Sequence, residues 1–391
     1  MAWALAAAAW PADALRCDTC HPRETAAFRA SPMGRSLAET ALPAREARFT
    51  HNASGTRFST QSGGEGKLIH TLERGVWQAS FPAEFVIGSG VHAQGAAVRI
   101  GGRLFQSPLA LYRRGTAWGA APGYEQMPAP DFNRAITPEC LGCHASNATA
   151  ERPTPIGCER CHGDASAHLK KPGRGSIVNP ARLAVAERDS VCEQCHLNGE
   201  ARVPNPNASF ADFRPGQRLE EVFSIFVYDR PGPAFKVVSH AEQLAQSRCR
   251  QAPAEKLWCG SCHAVHGAPV QVRTVCQSCH ASLPAKHPAG TDCAGCHLPK
   301  REAADGAHTA FTDHRIQRPG RRLPDEPVRG LRAWRASANA ALAQRNLGLA
   351  YVMAGERDRA PEFLRTGSKL LSAAYTAYPR DADVLASLGI V

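Results

Sequence analysis

The chain has little of the material from which an ordinary protein core is built. Aromatic residues make up only 7 % of its 391 residues, so another source of buried apolar surface is needed. After the first fourteen residues, no run is long and apolar enough to span a bilayer, and we expect no transmembrane span in the mature chain. Gly88-Ser89-Gly90 lacks the third glycine and the following helix of a nucleotide-binding loop, which excludes that kind of site.

A nucleic-acid-binding surface is also missing. The formal net charge is +11, but the arginines are dispersed and no aromatic-rich surface accompanies them. One denser basic run extends from Arg315 to Arg335. We interpret residues 321–335 as a basic linker and expect no nucleic-acid partner.

Cysteine, in contrast, is abundant and regularly placed. Fourteen of the 15 cysteines fall in seven copies of Cys-x-x-Cys-His. The cysteine pairs are Cys17 and Cys20, Cys140 and Cys143, Cys158 and Cys161, Cys192 and Cys195, Cys259 and Cys262, Cys276 and Cys279, and Cys293 and Cys296. The histidines that complete them are His21, His144, His162, His196, His263, His280 and His297. Cys249 is left over, and we interpret it as a small buried thiol.

This motif is the attachment signal for c-type haem. The two thiols add to the two vinyl groups of one porphyrin, and the adjacent His becomes the proximal ligand of the iron. Zinc knuckles also contain Cys-x-x-Cys, but a zinc site does not need a His directly after the second Cys. A disulfide framework is the third interpretation. The sequence therefore predicts about seven covalent haem c groups.

Covalent haem attachment takes place outside the bacterial cytoplasm, so we expect an exported, periplasmic or extracellular protein. Residues 1–14 are apolar and end in Ala-x-Ala, but they lack a basic start and are short for a signal sequence. We interpret them as a truncated signal peptide. A short buried helix is the alternative.

The spacing of the motifs predicts the organisation of the chain. We expect a mostly α fold with irregular loops over 15–320, in which short helices carry the motifs. A small β-containing segment at about 45–130 includes the strand-like runs at 81–87 and 98–105. Residues 336–391 resemble an incomplete tetratricopeptide-repeat segment, because Leu347-Gly348-x-x-Tyr351 returns in part at Leu388-Gly389. A two-helix cap on the haem-binding part is the alternative for this segment.

Nine histidines outside the motifs can supply the second axial ligands of the irons. His168, His266 and His287 are best placed, because each lies close to a motif in the sequence. His308 and His314 follow the last motif and are further candidates. Met33 is a candidate because a thioether can bind haem iron, although Met is also a common core residue.

Several segments together resemble the multihaem cytochromes of the cytochrome c-552/c-554 type. They are Cys-x-x-Cys-His-Pro at 17–22, Ser-Pro-Met-Gly-Arg-Ser at 31–36, Val-Ile-Gly-Ser-Gly-x-His at 86–92, Gly123-Tyr124, 158–163 with His168, and Thr-Asp-His-Arg-Ile-Gln-Arg at 312–318. The paired motifs at 259–280 and a C-terminal repeat segment also occur in that family. The resemblance covers about residues 15–320. It implies largely bis-His ligation and matches Met33, His51, His92, His168, His266, His287, His308 and His314 to positions that bind iron, whereas His70 and His240 look less like the family.

The resemblance implies electron transfer through closely packed haems. We expect redox partner proteins, among them membrane-associated electron-transfer complexes. We expect the repeat segment to dock such a partner. The main alternative is a multihaem oxidoreductase that acts on a small nitrogen or sulfur oxyanion at one open haem. All seven motifs end in His, which argues only against the subclass of nitrite reductases with a proximal Lys.

Overall fold

A computed structural model describes residues 16–39, 46–64, 67–112, 117–125, 127–147, 151–230, 234–252, 257–267, 269–282, 287, 292–306, 309–320 and 330–390. The predicted signal peptide at 1–14, the candidate ligand His308 and residues 321–329 of the predicted linker lie outside these ranges. The described residues fall into two compact units. One contains residues up to 177 with 260–271 and 300–312, and the other contains 178–259, 272–299 and residues from 313 onward.

The first unit is built on an eight-stranded antiparallel sheet. Strands β2 to β8 follow one another in chain order, and β1 pairs with β5. Their bounds are Leu37–Glu39 (β1), Ala47–His51 (β2), Thr56–Ser62 (β3), Leu68–Arg74 (β4), Trp77–Ile87 (β5), Ala93–Ile100 (β6), Arg103–Tyr112 (β7) and Ala117–Ala120 (β8). Phe49 on β2 packs in one cluster with Ala120 of β8, so the two end strands approach each other and the sheet is nearly closed.

The strands follow the alternation expected of a sheet with one buried face. Along β3, Phe58 and Thr60 are buried while Arg57 is exposed. The run predicted at 98–105 is divided by a two-residue turn, Gly101-Gly102, because both glycines have positive φ angles (55° and 81°) and Ile100 pairs with Arg103. The turn therefore converts one predicted strand into the β6–β7 hairpin.

The helices of the first unit are short. They are Pro22–Ala30 (α1), Pro138–His144 (α2), Glu159–His162 (α3) and Ser166–Lys170 (α4). A small hairpin, Lys300–Glu302 (β11) with Ala310–Thr312 (β12), belongs to the same unit.

The second unit combines helices with a three-stranded antiparallel sheet in the order β13-β10-β9. Its strands are Ala201–Pro204 (β9), Phe223–Tyr228 (β10) and Leu331–Ala333 (β13). Its helices include Val185–His196 (α5), His240–Ala245 (α6), Arg248–Gln251 (α7), Val272–Gln277 (α9), Cys293–His297 (α10), Ala340–Asp358 (α11), Pro361–Ala374 (α12) and Ala382–Ile390 (α13). The one-turn helix Cys259–Cys262 (α8) is divided between the units: Cys259 belongs to the second unit and residues 260–262 to the first.

The three C-terminal helices share a core with this sheet. Leu349 and Val352 of α11 and Leu371 of α12 lie in one buried cluster with Val203 and Phe226 of the sheet. The helical segment therefore packs on β9 and β10 through its apolar face.

The expectation of a mostly α fold is wrong. The structure is 35 % helical and 23 % strand, and the β-structure is an eight-stranded sheet, where only a small segment was expected. The physical reason is that most motif-bearing helices are one or two turns long, α5 excepted, whereas the described residues between Leu37 and Ala120 are largely antiparallel strand. Across the part of the chain described, no helix meets the length and apolarity needed to cross a membrane.

Candidate haem-attachment sites

A single helical turn closes the motifs and aligns their three functional side chains. The His21 N–H donates to the Cys17 carbonyl oxygen over 2.8 Å, and His162 and His280 make the same bond to Cys158 and Cys276 over 3.0 and 2.9 Å. Residues three apart on a helical turn lie on one side of it, so both thiols of a motif face the same way. The His follows directly on the same turn, as attachment to a single porphyrin requires.

The structure assigns no disulfide to the 15 cysteines. The first cysteines of the fourth and fifth motifs also meet, because Cys192 and Cys259 are hydrogen-bonded to each other, and this bond lowers the pKa of the Cys259 thiol. The contact brings two attachment positions together within the second unit.

Three motif histidines are paired with histidines outside the motifs. The ring centroids of His21 and His168 are 6.3 Å apart, those of His162 and His266 are 6.0 Å apart, and those of His297 and His287 are 6.2 Å apart. The ring planes in the three pairs are inclined by only 24°, 26° and 25°.

This separation suits one metal ion between two imidazoles. An imidazole nitrogen binds a first-row transition metal at about 2 Å, which places the centroids of two opposed rings about 6 Å apart. The three pairs therefore have the spacing of a bis-His iron site.

Hydrogen bonds at Nδ1 leave the other ring nitrogen available in two of these pairs. The Nδ1 of His297 lies 2.9 Å from the carbonyl oxygen of Gln317, to which only a protonated nitrogen donates. The Gln317 N–H in turn donates to the His297 carbonyl oxygen over 3.1 Å. The Nδ1 of His168 bonds Ser176 Oγ over 3.0 Å. Such bonds fix the orientation of a ligand imidazole and leave its Nε2 for the metal.

The fourth motif has a different environment. His240 lies 5.4 Å from His196 with the ring planes at 88°, and its other neighbour is His314 at 4.9 Å and 79°. The backbone N–H of His314 is held by Gln243 Oε1 at 2.9 Å. Three imidazoles thus gather at one motif, including His240, which the family resemblance did not favour. Its signal in the sequence was only its position between two motifs.

The second motif is approached by the turn that carries Met33. The Ser36 Oγ–H donates to the His144 carbonyl oxygen over 2.9 Å, and the Gly88 N–H donates to the Ser36 carbonyl oxygen over 2.8 Å. Burial lowers the pKa of His144, which favours the neutral imidazole that binds metals. The Met33 turn therefore lies beside the second motif, although Met33 is closer in sequence to the first.

Two further predicted ligands of the first unit make contacts with residues other than the motif histidines. His51 ends β2 and bonds Ser54 Oγ over 2.8 Å within its own hairpin. The His92 ring is 4.2 Å from Phe311. His308 lies outside the described residues. For these three residues, iron ligation stays a prediction.

His70 is a core residue of the sheet. It is fully buried, its Nδ1 bonds Ser107 Oγ over 2.7 Å, and its ring meets the edge of Trp118 at 5.8 Å. Burial lowers its pKa to about 4. His70 is therefore a neutral structural histidine at physiological pH.

The motif-bearing segments have almost no core of their own. Helices α3, α8, α9 and α10 bury none of their residues, and neither does α4, which carries His168. Covalent porphyrins bring large apolar faces, so haem c fits these thiol and imidazole sets and the apolar surface they need. Within the described ranges, no three His, Cys, Asp or Glu side chains are grouped as a metal site.

No family model matches the chain, and no curated protein matches it. Among solved structures, the chain is similar to the outer cell wall cytochrome OcwA, with 16 % sequence identity and a TM-score of 0.48. The match covers 78 % of this chain and 78 % of that one.

Proposed function

We propose that the chain is a multihaem c-type cytochrome that transfers electrons in the periplasm or outside the cell through about seven covalent haems. The observation that carries this proposal is the set of three imidazole pairs, each made of one motif histidine and one other histidine at 6.0–6.3 Å. Iron with two axial imidazoles has no open position for substrate, which suits a carrier of electrons.

The residues of the chain have three tasks in this function. The motif thiols hold each porphyrin covalently, and the motif histidines supply the proximal ligands. His168, His266 and His287 complete three irons. For the fourth motif, the ligand is His240, which lies beside His196, or His314, which lies beside His240, and the ligands of the remaining motifs are drawn from Met33, His51, His92 and His308. When bound, the haem supplies the one-electron redox chemistry.

The haem content tests the proposal directly. Pyridine haemochrome analysis and intact mass should give seven covalent haems per exported chain. The electron paramagnetic resonance spectrum of the oxidised protein should be dominated by low-spin iron. Four or fewer haems, or zinc bound in equal amount to the chain, would contradict the proposal.

We also propose that the C-terminal helices bind a redox partner protein, such as a membrane-associated electron-transfer complex. Leu385 and Ile390 of α13 are 46 % and 53 % exposed, so α13 offers apolar surface that a partner can cover. Leu385→Ser with Ile390→Ser should slow reduction of the haems by a membrane fraction of the source organism and leave the haem spectrum unchanged. Val76→Ser, at a fully exposed position in the first unit, is the matched control.

A further inference from the structure

The fourth motif carries a buried acid inside its attachment sequence. Glu193 follows Cys192 directly in Cys192-Glu193-Gln194-Cys195-His196, and it is only 5 % exposed. None of the other six motifs has an acid that is buried in this way: Asp18 and Glu159, the acidic residues between their cysteines, are not in the buried set. Since burying a carboxylate without a partner is costly, Glu193 needs a specific counter-charge.

Two consecutive residues from the C-terminal part of the chain supply its partners. Trp334 Nε1–H donates to one Glu193 oxygen over 3.1 Å, and Arg335 forms an ion pair with the other at 2.5 Å. Arg335 also donates to Ser190 Oγ over 3.3 Å, one helical turn earlier on α5. Trp334 and Arg335 therefore bind the last two turns of α5, the helix that ends at His196.

The strand before them fixes their position. In β13, Ala333 pairs with Phe226 of β10, and the Trp334 N–H continues the ladder by donating to the Ile225 carbonyl oxygen over 2.7 Å. The Glu193 side chain is 7 % exposed and the Arg335 side chain 21 %. Leu219, Phe223 and Ile225 line the pocket beside Trp334 and Arg335, together with Glu220. The ion pair is therefore largely shielded from solvent, and charges act more strongly there than they do in water.

The other charges near Glu193 are already balanced. Asp189, the nearest acid on α5, is paired with Arg250 at 2.6 Å and with Arg188 at 3.1 Å. Burial raises the pKa of Glu193, and the Arg335 guanidinium acts in the opposite direction. Arg335 is therefore the cation on which the charge of Glu193 depends.

We propose that Glu193 and Arg335 are a positioning pair that sets the reduction potential of the haem at the fourth motif. This inference rests on the proposed function. A buried negative charge beside a haem stabilises the oxidised iron and lowers its potential, whereas a buried positive charge raises it. When both charges are present, their effects on the potential nearly cancel. Removing either charge should therefore shift the potential of one haem in seven, and the direction of the shift depends on which charge is lost.

The test is a charge cycle with near-isosteric amides. Glu193→Gln keeps a carbonyl oxygen for Trp334 and leaves Arg335 uncompensated, so the potential of one haem should rise. Arg335→Gln leaves the carboxylate uncompensated, so the potential of the same haem should fall. The double variant should return that potential close to its original value. Potentials are measured by spectroelectrochemistry at mildly alkaline pH, so that Glu193 is ionised wherever it is present.

An exposed ion pair in the same unit is the matched control. Arg218 and Glu221 lie 3.0 Å apart with side chains 46 % and 44 % exposed, and solvent screens such a pair. Glu221→Gln, which leaves Arg218 paired with Glu220 at 3.6 Å, should leave all seven potentials unchanged. Arg335→Lys keeps the positive charge, so its potential should show little of the shift seen in Arg335→Gln.

Two outcomes overturn the inference. Shifts of the same sign in both single variants would mean that the pair acts only through helix position, and unchanged potentials would mean that it is purely structural. Haem content in every variant separates these outcomes from failure of the proposed function, because a chain that is not a multihaem cytochrome has no set of haem potentials to shift.

Discussion

His168 and His21 are paired with ring centroids 6.3 Å apart and ring planes only 24° from parallel. They are separated by 147 positions in the sequence, and the fold of the first unit brings them together. We expect His168→Ala to convert the first haem from low-spin to high-spin iron, because its second axial ligand is lost. Electron paramagnetic resonance should show about one haem in seven changed.

His70→Gln is the control for this substitution, because His70 is a buried core residue of the sheet that bonds Ser107. If His70→Gln produced the high-spin signal and His168→Ala did not, the assignment of the first distal ligand would be wrong.

The sequence was most informative where function depends on residues a few positions apart. Cys-x-x-Cys-His needs only one helical turn, and His168, His266 and His287, favoured for their proximity to motifs, are the three that lie opposite motif histidines. Their ligation stays a prediction. His240 shows the limit of this reasoning, since the family-like segments favoured His314 and nothing in the sequence around His240 favoured it.

The eight-stranded sheet was underestimated because strand pairing is non-local. Short strands such as Ala117–Ala120 gain stability from neighbours rather than from their own sequence pattern. Polar residues on buried faces, including Thr60 and His70, also obscured the alternation of apolar and polar positions. The partner of Glu193 could not be predicted either, because Arg335 lies 142 positions further along the chain.

The buried His70 should make the stability of the first unit depend on pH. An unfolded His takes up its proton near pH 6.5, whereas folded His70 does so only near pH 4. Between these values the unfolded state binds more protons, so the free energy of unfolding falls as pH is lowered through this window. The difference between the two pKa values corresponds to a loss of about 3 kcal/mol in the free energy of unfolding.

Denaturant titrations followed by circular dichroism at pH 7 and at pH 4 can measure this loss. His70→Gln removes the titrating group while keeping a polar side chain beside Ser107, so its loss over the same range should be smaller by about 3 kcal/mol. Equal losses in the two proteins would show that other groups carry the pH dependence.

Gly34 should be essential to the turn that carries Met33. A Cβ at this position would clash with the carbonyl oxygen of Phe28, which belongs to the backbone of α1 and has no freedom to move aside. We expect Gly34→Ala to lower the free energy of unfolding by about 1–3 kcal/mol. Gly64→Ala is the control, because a Cβ there meets nothing within 4 Å. Similar losses in both variants would contradict the steric argument.

Met33 itself can be tested by spectroscopy. If it binds iron, the oxidised protein should show a weak sulfur-to-iron band at the red end of the visible spectrum. Met33→Ala should abolish this band and lower the highest reduction potential in the chain, because a thioether ligand raises haem potential. Absence of the band in the unmodified protein would leave Met33 as a packing residue.

Arg345 should be the most sensitive position in the C-terminal helical segment. Its side chain is 1 % exposed and pairs with Asp381 at 2.8 Å and Asp383 at 3.0 Å, while a third bond reaches the carbonyl oxygen of Pro204 over 2.8 Å. It thus joins α11, the start of α13 and the end of β9.

Arg345→Ala leaves the largely buried Asp381 without its partner, and we expect a loss of about 3–5 kcal/mol in the free energy of unfolding. Arg57→Ala, which breaks an ion pair with Glu73 at a side chain 68 % exposed, should cost at most about 1 kcal/mol. Guanidinium denaturation of both variants measures the contrast, and an Arg345→Ala protein no less stable than Arg57→Ala would show that the C-terminal helices are held by their apolar contacts alone.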